Sequence, residues 1–134
     1  MSGVQELEDW AKTQIKGADA SARREDNMYY IDWKIDDEIV GVICIEKRDK
    51  TFYMLSFQLG NDQQQKGVFK SFAAFIPRWA RTNGGEKLAV ISANAVMQNL
   101  IAQCGFKRGE DPDDYFVDIS MEDSPPEQYG NSRP

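Results

Sequence analysis

The sequence predicts a mixed α/β (α+β) fold, in which a mainly antiparallel sheet carries helices on both faces. Three strand-like runs follow one another with connections too short for crossover helices, which predicts an antiparallel meander. Two helical patterns then alternate with apolar strand-like runs, which extends the meander into a mixed sheet. The 134 residues, 41% of them hydrophobic, are enough to bury one core.

The chain begins with a predicted helix. Val4, Leu7, Ala11 and Ile15 have helical spacing, so residues 3–16 are expected to form an amphipathic helix that ends before Gly17. The polar segment after it is expected to hold a short second helix. Residues 1–28 would then be an N-terminal helical segment.

The meander occupies the next part of the chain. Residues 29–35 alternate between two faces, and Asp36-Asp37 supplies a turn. Residues 39–46 are rich in β-branched side chains, and residues 51–59 form a third strand-like run. Short polar turns join the three runs, so each strand should pair with the one before it.

Helices and strands alternate from there on. A mostly buried helix should begin near Lys66 and end at 83–85 (Asn-Gly-Gly), with a kink at Pro77. A short apolar strand is expected at 88–92 and a second helix at 94–103, with Gly105 as its C-cap. Residues 115–119 should form the final strand.

Charge divides the chain into two parts. Residues 1–108 carry 15 Lys/Arg and 14 Asp/Glu, a balance of +1, whereas residues 109–134 carry eight acids against Arg133, a balance of −7. A balanced body lacks the basic surface of a nucleic-acid-binding protein, so no nucleic-acid partner is expected. We predict a single domain over 1–120, with its core at 29–120, followed by an acidic, flexible tail over 121–134.

Several residue types bound the chemistry. The sequence has no histidine, which excludes His-dependent triads and His metal ligands. Cys44 and Cys104 lie far apart and form no CxxC pair, so no metal site is expected and two reduced thiols in the cytoplasm are predicted. No apolar run is long enough for a membrane span, and the N-terminus resembles no secretory signal.

An ordered motif covers residues 57–108. A strand ends at Leu59, and Gln64-Gln-Lys-Gly67-Val-Phe69 then opens a helix. A strand follows, and then a helix led by Asn94 that ends in Cys-Gly-Phe at 104–106. This order and spacing resemble the GNAT superfamily of N-acetyltransferases, in which Q/R-x-x-G-x-G/A opens the long helix.

The resemblance implies a binding site for acetyl-CoA or another acyl-CoA in a V-shaped opening between splayed strands. The helix start would hold the pyrophosphate with backbone N–H groups, helped by the charges of Lys66 and Lys70. The main chain near Leu59 would pair with the pantetheine arm. The implied cofactor-binding residues are Phe57, Leu59, Gln64, Lys66, Gly67, Val68, Phe69, Lys70 and Asn94. Read without the resemblance, Gln64 is a loop residue, Lys70 lies on a solvated helix face and Asn94 caps a helix.

Three positions depart from the family pattern. Phe69 stands where the motif has a small residue, and its ring is expected to crowd the pyrophosphate. Ile101 replaces a Tyr that often protonates the leaving thiolate, and strand 51–59 lacks the Glu that often serves as base. The stand-ins are Glu46 or Tyr53 as base and Tyr115 or Cys104 as acid. Each also has a structural interpretation, as a strand or core residue.

Two function classes follow from these observations. The first is an acyl-CoA-dependent transferase that acetylates an amine of an unidentified small molecule or protein. The second is an inactive GNAT-fold module that binds a protein or regulates one. Small, degenerate proteins of this second kind occur among phage accessory and virion proteins.

Overall fold

The computed structural model describes residues 3–60, 62–91, 95–109 and 114–119, with the backbone path alone for 62–64, 95 and 96. Three helices and seven strands lie in these ranges. In chain order they are α1 (Gly3–Lys12), β1 (Asp19–Glu25), β2 (Met28–Ile35), β3 (Glu38–Arg48), β4 (Thr51–Leu59), α2 (Asp62–Thr82), β5 (Lys87–Ile91), α3 (Ala95–Gln103), β6 (Lys107–Arg108) and β7 (Asp114–Asp118). None of the described helices is long and apolar enough to cross a membrane.

All seven strands form one sheet, in the order β1-β2-β3-β4-β5-β7-β6. Every neighbouring pair is antiparallel except β4 and β5, which are parallel and joined by α2. The predicted fold class, a mixed and mainly antiparallel sheet with helices, is therefore confirmed. Among the described strands, the one parallel pair is the pair joined by a helical crossover, as parallel pairing requires.

The predicted meander is present as β2, β3 and β4. Asp36 and Asp37 both have positive φ, 51° and 67°, and form the two-residue turn between β2 and β3. Such a turn follows the right-handed twist of the two strands, and Asp tolerates the left-handed conformation better than most residues. The third predicted strand, residues 51–59, has the observed bounds of β4.

The prediction of a short second helix before residue 28 is wrong, because that segment is the edge strand β1. It pairs with β2 along its whole length, around a turn in which Asp26 has a φ of 55°. Small side chains at Ala20 and Ala22 let α1 lie close against this strand. Glu8 of α1 also accepts a hydrogen bond of 3.1 Å from the Ala22 N–H, which satisfies an outward-pointing group of the edge.

Helix α1 is shorter than predicted, because the chain turns after Lys12 while Ile15 still packs into the core. The core lies between the sheet and these helices. Trp33 of β2 donates to the Ala11 carbonyl at 2.8 Å, and Trp79 of α2 donates to the Gly3 carbonyl at 2.9 Å. Helices were expected on both faces of the sheet, and these contacts place α1 and α2 on the same one.

Helix α2 begins at Asp62, before its predicted start, and continues past Pro77 to Thr82. It ends as predicted at the Asn-Gly-Gly segment, where Gly84 has a φ of 94° and Lys47 donates 2.8 Å to the Asn83 carbonyl. Gly105, with a φ of 95°, is the predicted C-cap of α3. The tail over 121–134 lies outside the described residues, so the domain bounds stay a prediction.

Candidate functional site

The candidate site is the place where β4 and β5 separate. The two strands pair in parallel from Thr51 and Lys87 up to Met54 and Val90, and no further. Strand β4 continues to Leu59, paired with β3. Within the described ranges no strand pairs with the other edge of β4 from Leu55 onward, so β4 and β5 diverge as the expected V-shaped opening requires. We call this point of separation the fork.

A β-bulge lies at the fork. Cys44 is opposite Ser56 and Ile45 is opposite Met54, so Leu55 is an extra residue on β4. A bulge bends its strand and increases the local twist, which accounts for the divergence of β4 from β5 at this residue. It also shifts the phase of the strand, because the core-facing residues run Phe52, Met54 and then Phe57.

Beyond the bulge, aromatic rings join β4 to α2 and to the segment after α3. The ring of Phe57 meets the rings of Phe69 and Phe72 edge to face, at centroid distances of 5.4 and 5.7 Å. Phe69 also stacks on Phe72 and lies 6.2 Å from Phe106. These contacts fix the direction in which α2 leaves the fork.

Phe69 is fully buried within this aromatic group. The expectation that its ring crowds a pyrophosphate is therefore wrong, because the ring points into the core and away from the exposed side of α2. Val68 is buried as well, so only the backbone of these two residues remains for a ligand. The side chain of Leu59 covers Gly41, where an added Cβ would lie 3.1 Å from Leu59 Cδ2.

The exposed side of the first turns of α2 carries Lys66, Gly67 and Lys70. A Cβ added at Gly67 would meet no atom within 4 Å, so glycine is not required there by packing. Its absence of a side chain instead leaves the helix backbone open to a ligand. The N–H groups of the first turn of α2, residues 62–65, have no acceptor within the helix, and with Lys66 and Lys70 just after them they form a suitable environment for a phosphate.

Two of the predicted binding residues cannot be compared in full with the structure. The backbone of Gln64 lies in the first turn of α2, while its side chain lies outside the described residues. Asn94 also lies outside them, one residue before α3.

Glu46 and Tyr53 come together, directly opposite each other on β3 and β4. Arg48 binds both of them. Its Nη2 is 2.7 Å from Glu46 Oε1, and its guanidinium carbon lies 4.8 Å from the centre of the Tyr53 ring. The hydrogen bond to Glu46 raises the pKa of Arg48, so this cation stays charged. Sequence reasoning missed Arg48, although its separation of two residues from Glu46 along one strand places both on the same face.

Tyr115 lies on the other face of the sheet. Tyr53 pairs with Ala89, whereas Tyr115 pairs with Val90, and neighbouring residues of a strand point to opposite faces. The Tyr115 side chain is buried against the core, and Ile101 is also fully buried there. The three predicted catalytic side chains therefore do not converge on one point.

Cys104 is the other residue predicted as a stand-in acid. Burial raises the pKa of Cys104, and the nearby charge of Lys70 acts in the opposite direction. Burial also raises the pKa of Cys44, together with the charge of Glu46 and against that of Arg23. Both cysteines are free, and no group of described side chains could hold a metal ion.

The sequence profile of the acetyltransferase (GNAT) family matches residues 3–106, more than three quarters of the chain. The chain belongs to the GNAT family. The match begins in α1 and ends at the residue that follows the C-cap of α3. No curated protein sequence matches the chain.

Solved GNAT structures share the fold at low sequence identity. The ribosomal-protein-S18-alanine N-acetyltransferase from Escherichia coli matches 85% of this chain and 88% of its own, with a TM-score of 0.56 and 12% identity. A candidate streptothricin acetyltransferase from Bacillus anthracis, in complex with acetyl coenzyme A, matches 71% of this chain and 65% of its own, with a TM-score of 0.57 and 15% identity.

An acetyltransferase from Bacillus subtilis in complex with CoA matches 69% of this chain and 78% of its own, with a TM-score of 0.51 and 17% identity. At these identities the likeness concerns the fold alone. It places the fork and the start of α2 of this GNAT domain in a fold whose solved members include complexes with CoA and acetyl-CoA.

Proposed function

We propose that this GNAT domain binds an acyl-CoA thioester, such as acetyl-CoA, at the fork and transfers the acyl group to an amine. The observation that carries the proposal is the fork itself. From Leu55 onward no strand of the described part of the chain pairs with this edge of β4, and Gly67, which has open space around it, lies in the helix that follows the strand. A polar arm could pair with the strand edge while a phosphate meets the helix start.

The charges near the start of α2 suit such a ligand. Lys66 and Lys70 are exposed on one side of α2, and a CoA pyrophosphate is a polyanion. Backbone N–H groups of α2 would add to this attraction because they lie at the positive end of the helix dipole. The free thiols of Cys44 and Cys104 agree with a reducing cytoplasm, where we expect the protein to act.

Acyl transfer at the fork needs few side chains. The amine nitrogen attacks the thioester carbonyl, the carbon–sulfur bond breaks, and the thiolate leaves while the amine loses a proton. Backbone N–H groups beside the Leu55 bulge would stabilise the oxyanion, and positioning of the two reactants would supply much of the rate. Glu46 and Tyr53, opposite each other on β3 and β4, would serve as the acid–base pair, with Arg48 bound to the Glu46 carboxylate.

Calorimetric titration with acetyl-CoA tests the binding site. We expect the Lys66→Glu and Lys70→Glu variant to bind acetyl-CoA at least about tenfold more weakly than the natural chain, because two attractive charges become repulsive. Lys50→Glu is the matched control, since the Lys50 side chain is 71% exposed in the turn before β4, at the other end of this strand from Leu59 and the start of α2. No binding of acetyl-CoA at millimolar concentration would contradict the proposal.

A second proposal is an inactive GNAT-fold module that binds a partner protein, as a phage accessory or virion protein would. The observation that favours it is the position of Tyr115, on the opposite face from Glu46 and Tyr53. Mass spectrometry of amines and proteins incubated with the chain and acetyl-CoA separates the two proposals. Acetylated product that depends on the chain would exclude the inactive module.

A further inference from the structure

A row of apolar side chains crosses the sheet beside the fork. Tyr53, Ala89 and Phe116 pair in register across β4, β5 and β7, so all three point to one face. Phe52, the neighbour of Tyr53, points to the other face and contacts Trp79 of α2 at 5.2 Å. The row therefore lies on the face opposite α1 and α2.

Two exposed aliphatic side chains extend this row to the fork. Leu55 and Ile91 are the first residues of β4 and β5 beyond their last pair, and they are 38% and 42% exposed. Ile91 follows Ala89 by two residues and so points to the same face. We define the fork patch by its five members, Tyr53, Leu55, Ala89, Ile91 and Phe116.

The position of the exposed aliphatic residues is unusual. Four large hydrophobic side chains of the described residues are exposed, namely Ile35, Ile39, Leu55 and Ile91. Ile35 and Ile39 flank the β2–β3 turn, outside β4 and β5, whereas Leu55 and Ile91 directly follow the last β4–β5 pair at the fork. A single exposed aliphatic residue needs no explanation, but a contiguous patch next to a reaction centre indicates a binding surface.

Charged groups border the fork patch. The Arg48 guanidinium lies over Tyr53, and Lys87 Nζ lies 4.8 Å from the centre of the Phe116 ring. At the fork end Asp114 pairs with Ile91, so its side chain is on the same face as the patch. A ligand with an apolar body and a cationic end would match this order of side chains.

We propose that the fork patch binds the apolar side group of the acyl acceptor, a primary amine that carries an aromatic or branched aliphatic substituent. The proposal rests on the proposed function, since the fork brings the patch beside the thioester. Burial of the substituent against Ile91 and Phe116 selects such amines over small polar ones. The carboxylate of Asp114 would lie near the ammonium end of the bound amine.

The test uses two probe amines, 2-phenylethylamine and ethanolamine, titrated against the full chain by saturation-transfer NMR, with and without CoA. We expect 2-phenylethylamine to bind in preference to ethanolamine. Ile91→Asn should weaken the binding of 2-phenylethylamine at least about fivefold, because the substitution removes apolar contact area. Leu55→Asn should also weaken the binding of 2-phenylethylamine. A folding defect in one variant alone would then not explain both losses.

Ile39→Asn is the matched control, as the same change at an exposed isoleucine of the same sheet far from the fork. An equal loss in this control, or equal binding of both amines by the natural chain, would overturn the proposal. A chain that sediments as a dimer and becomes monomeric in Ile91→Asn would overturn it too, since a second copy would then cover the patch.

The acetyl-CoA titration is independent of these measurements. Selective binding of 2-phenylethylamine without any binding of acetyl-CoA would refute the proposed function and keep the apolar subsite. Binding of acetyl-CoA without amine selectivity would refute the subsite and keep the proposed function.

Discussion

Phe69 shows how the direction of a single side chain changes the meaning of a motif. At the sequence level it is a bulky residue where the family has a small one, and it suggests a blocked pyrophosphate site. In the structure its ring is fully buried among Phe57, Phe72 and Phe106. The large residue at position 69 therefore packs in the core. It does not cover the exposed side of α2, where Gly67 has open space around it.

Phe69→Ala should destabilise the protein by about 3–5 kcal/mol, the usual cost of a large cavity in a core. Urea unfolding, followed by circular dichroism, measures the change in the free energy of unfolding. The comparison is Ile39→Ala, which is exposed and should stay within about 0.5 kcal/mol of the natural chain. A loss below about 1 kcal/mol for Phe69→Ala would contradict the buried position.

The pKa of Cys104 gives a second prediction for one residue. Burial raises this pKa and the charge of Lys70 lowers it, so Lys70→Met should raise it further. A smaller thiolate fraction means slower alkylation, because the thiolate is the nucleophile. Mass spectrometry after iodoacetamide treatment at pH 8 should therefore show slower labelling of Cys104 in the variant.

Cys44 is the internal control for that measurement. Its pKa depends on burial, Glu46 and Arg23, so Lys70→Met should leave its labelling rate unchanged. Equal slowing of both cysteines would instead indicate a general change in access to the reagent.

The elements could be predicted from the sequence where their patterns were strong. Strand β4 has the predicted bounds, and the turn at Asp36-Asp37 follows from residues that tolerate positive φ. Strand β1 could not be predicted, since its sequence DASARRE is polar and its burial comes from small alanines under α1. The segment forms a strand instead of the expected second helix because it pairs with β2 and packs against the core.

The bulge at the fork could have been found. Core-facing apolar residues of β4 stand at 52 and 54 and then at 57 and 59, a break in the period of two that a bulge produces. The relation of the predicted catalytic residues could not be found in the same way. The faces of Tyr53 and Tyr115 depend on how β7 pairs with β5, and no local pattern encodes that register.

Gly67→Ala should separate the stability of α2 from its proposed function. The added methyl group meets open space, and glycine within a helix costs about 0.5–1 kcal/mol relative to alanine, so the free energy of unfolding should rise by that amount. The affinity for acetyl-CoA should fall, because the methyl group stands where the ligand approaches the backbone. Thermal unfolding and calorimetry measure the two effects.

Gly105→Ala gives the contrast. Gly105 has a φ of 95°, so alanine is strained at the end of α3 and should lower stability. A Gly67→Ala chain that is more stable and binds acetyl-CoA as well as before would show that the helix start is not the phosphate site.

The extent of the whole domain is tested by two truncations. Ile119 is buried, and its N–H donates to the Glu86 carbonyl at 3.0 Å, so the fold uses the chain up to this residue. A chain ending at residue 120 should unfold within about 2 °C of the full chain. A chain ending at residue 118 should lose roughly 1–3 kcal/mol, since a buried aliphatic side chain and a hydrogen bond are removed.

Differential scanning calorimetry of both truncations provides the comparison. Equal stability of the two would place Ile119 outside the fold. A large loss on ending at residue 120 would contradict the predicted domain of 1–120 and assign a structural part to the acidic tail.

The strand order of the sheet has a consequence for how the molecule assembles. Strands β1 to β4 are neighbours both in sequence and in space, so they can pair through short loops at little entropic cost. The parallel partner β5 arrives only after the chain has passed through α2, which makes this the slow, long-range step. During synthesis the N-terminal hairpins should therefore form first. The fork forms only when β5 pairs with β4, so a nascent chain would gain the proposed ligand site only once β5 has left the ribosome.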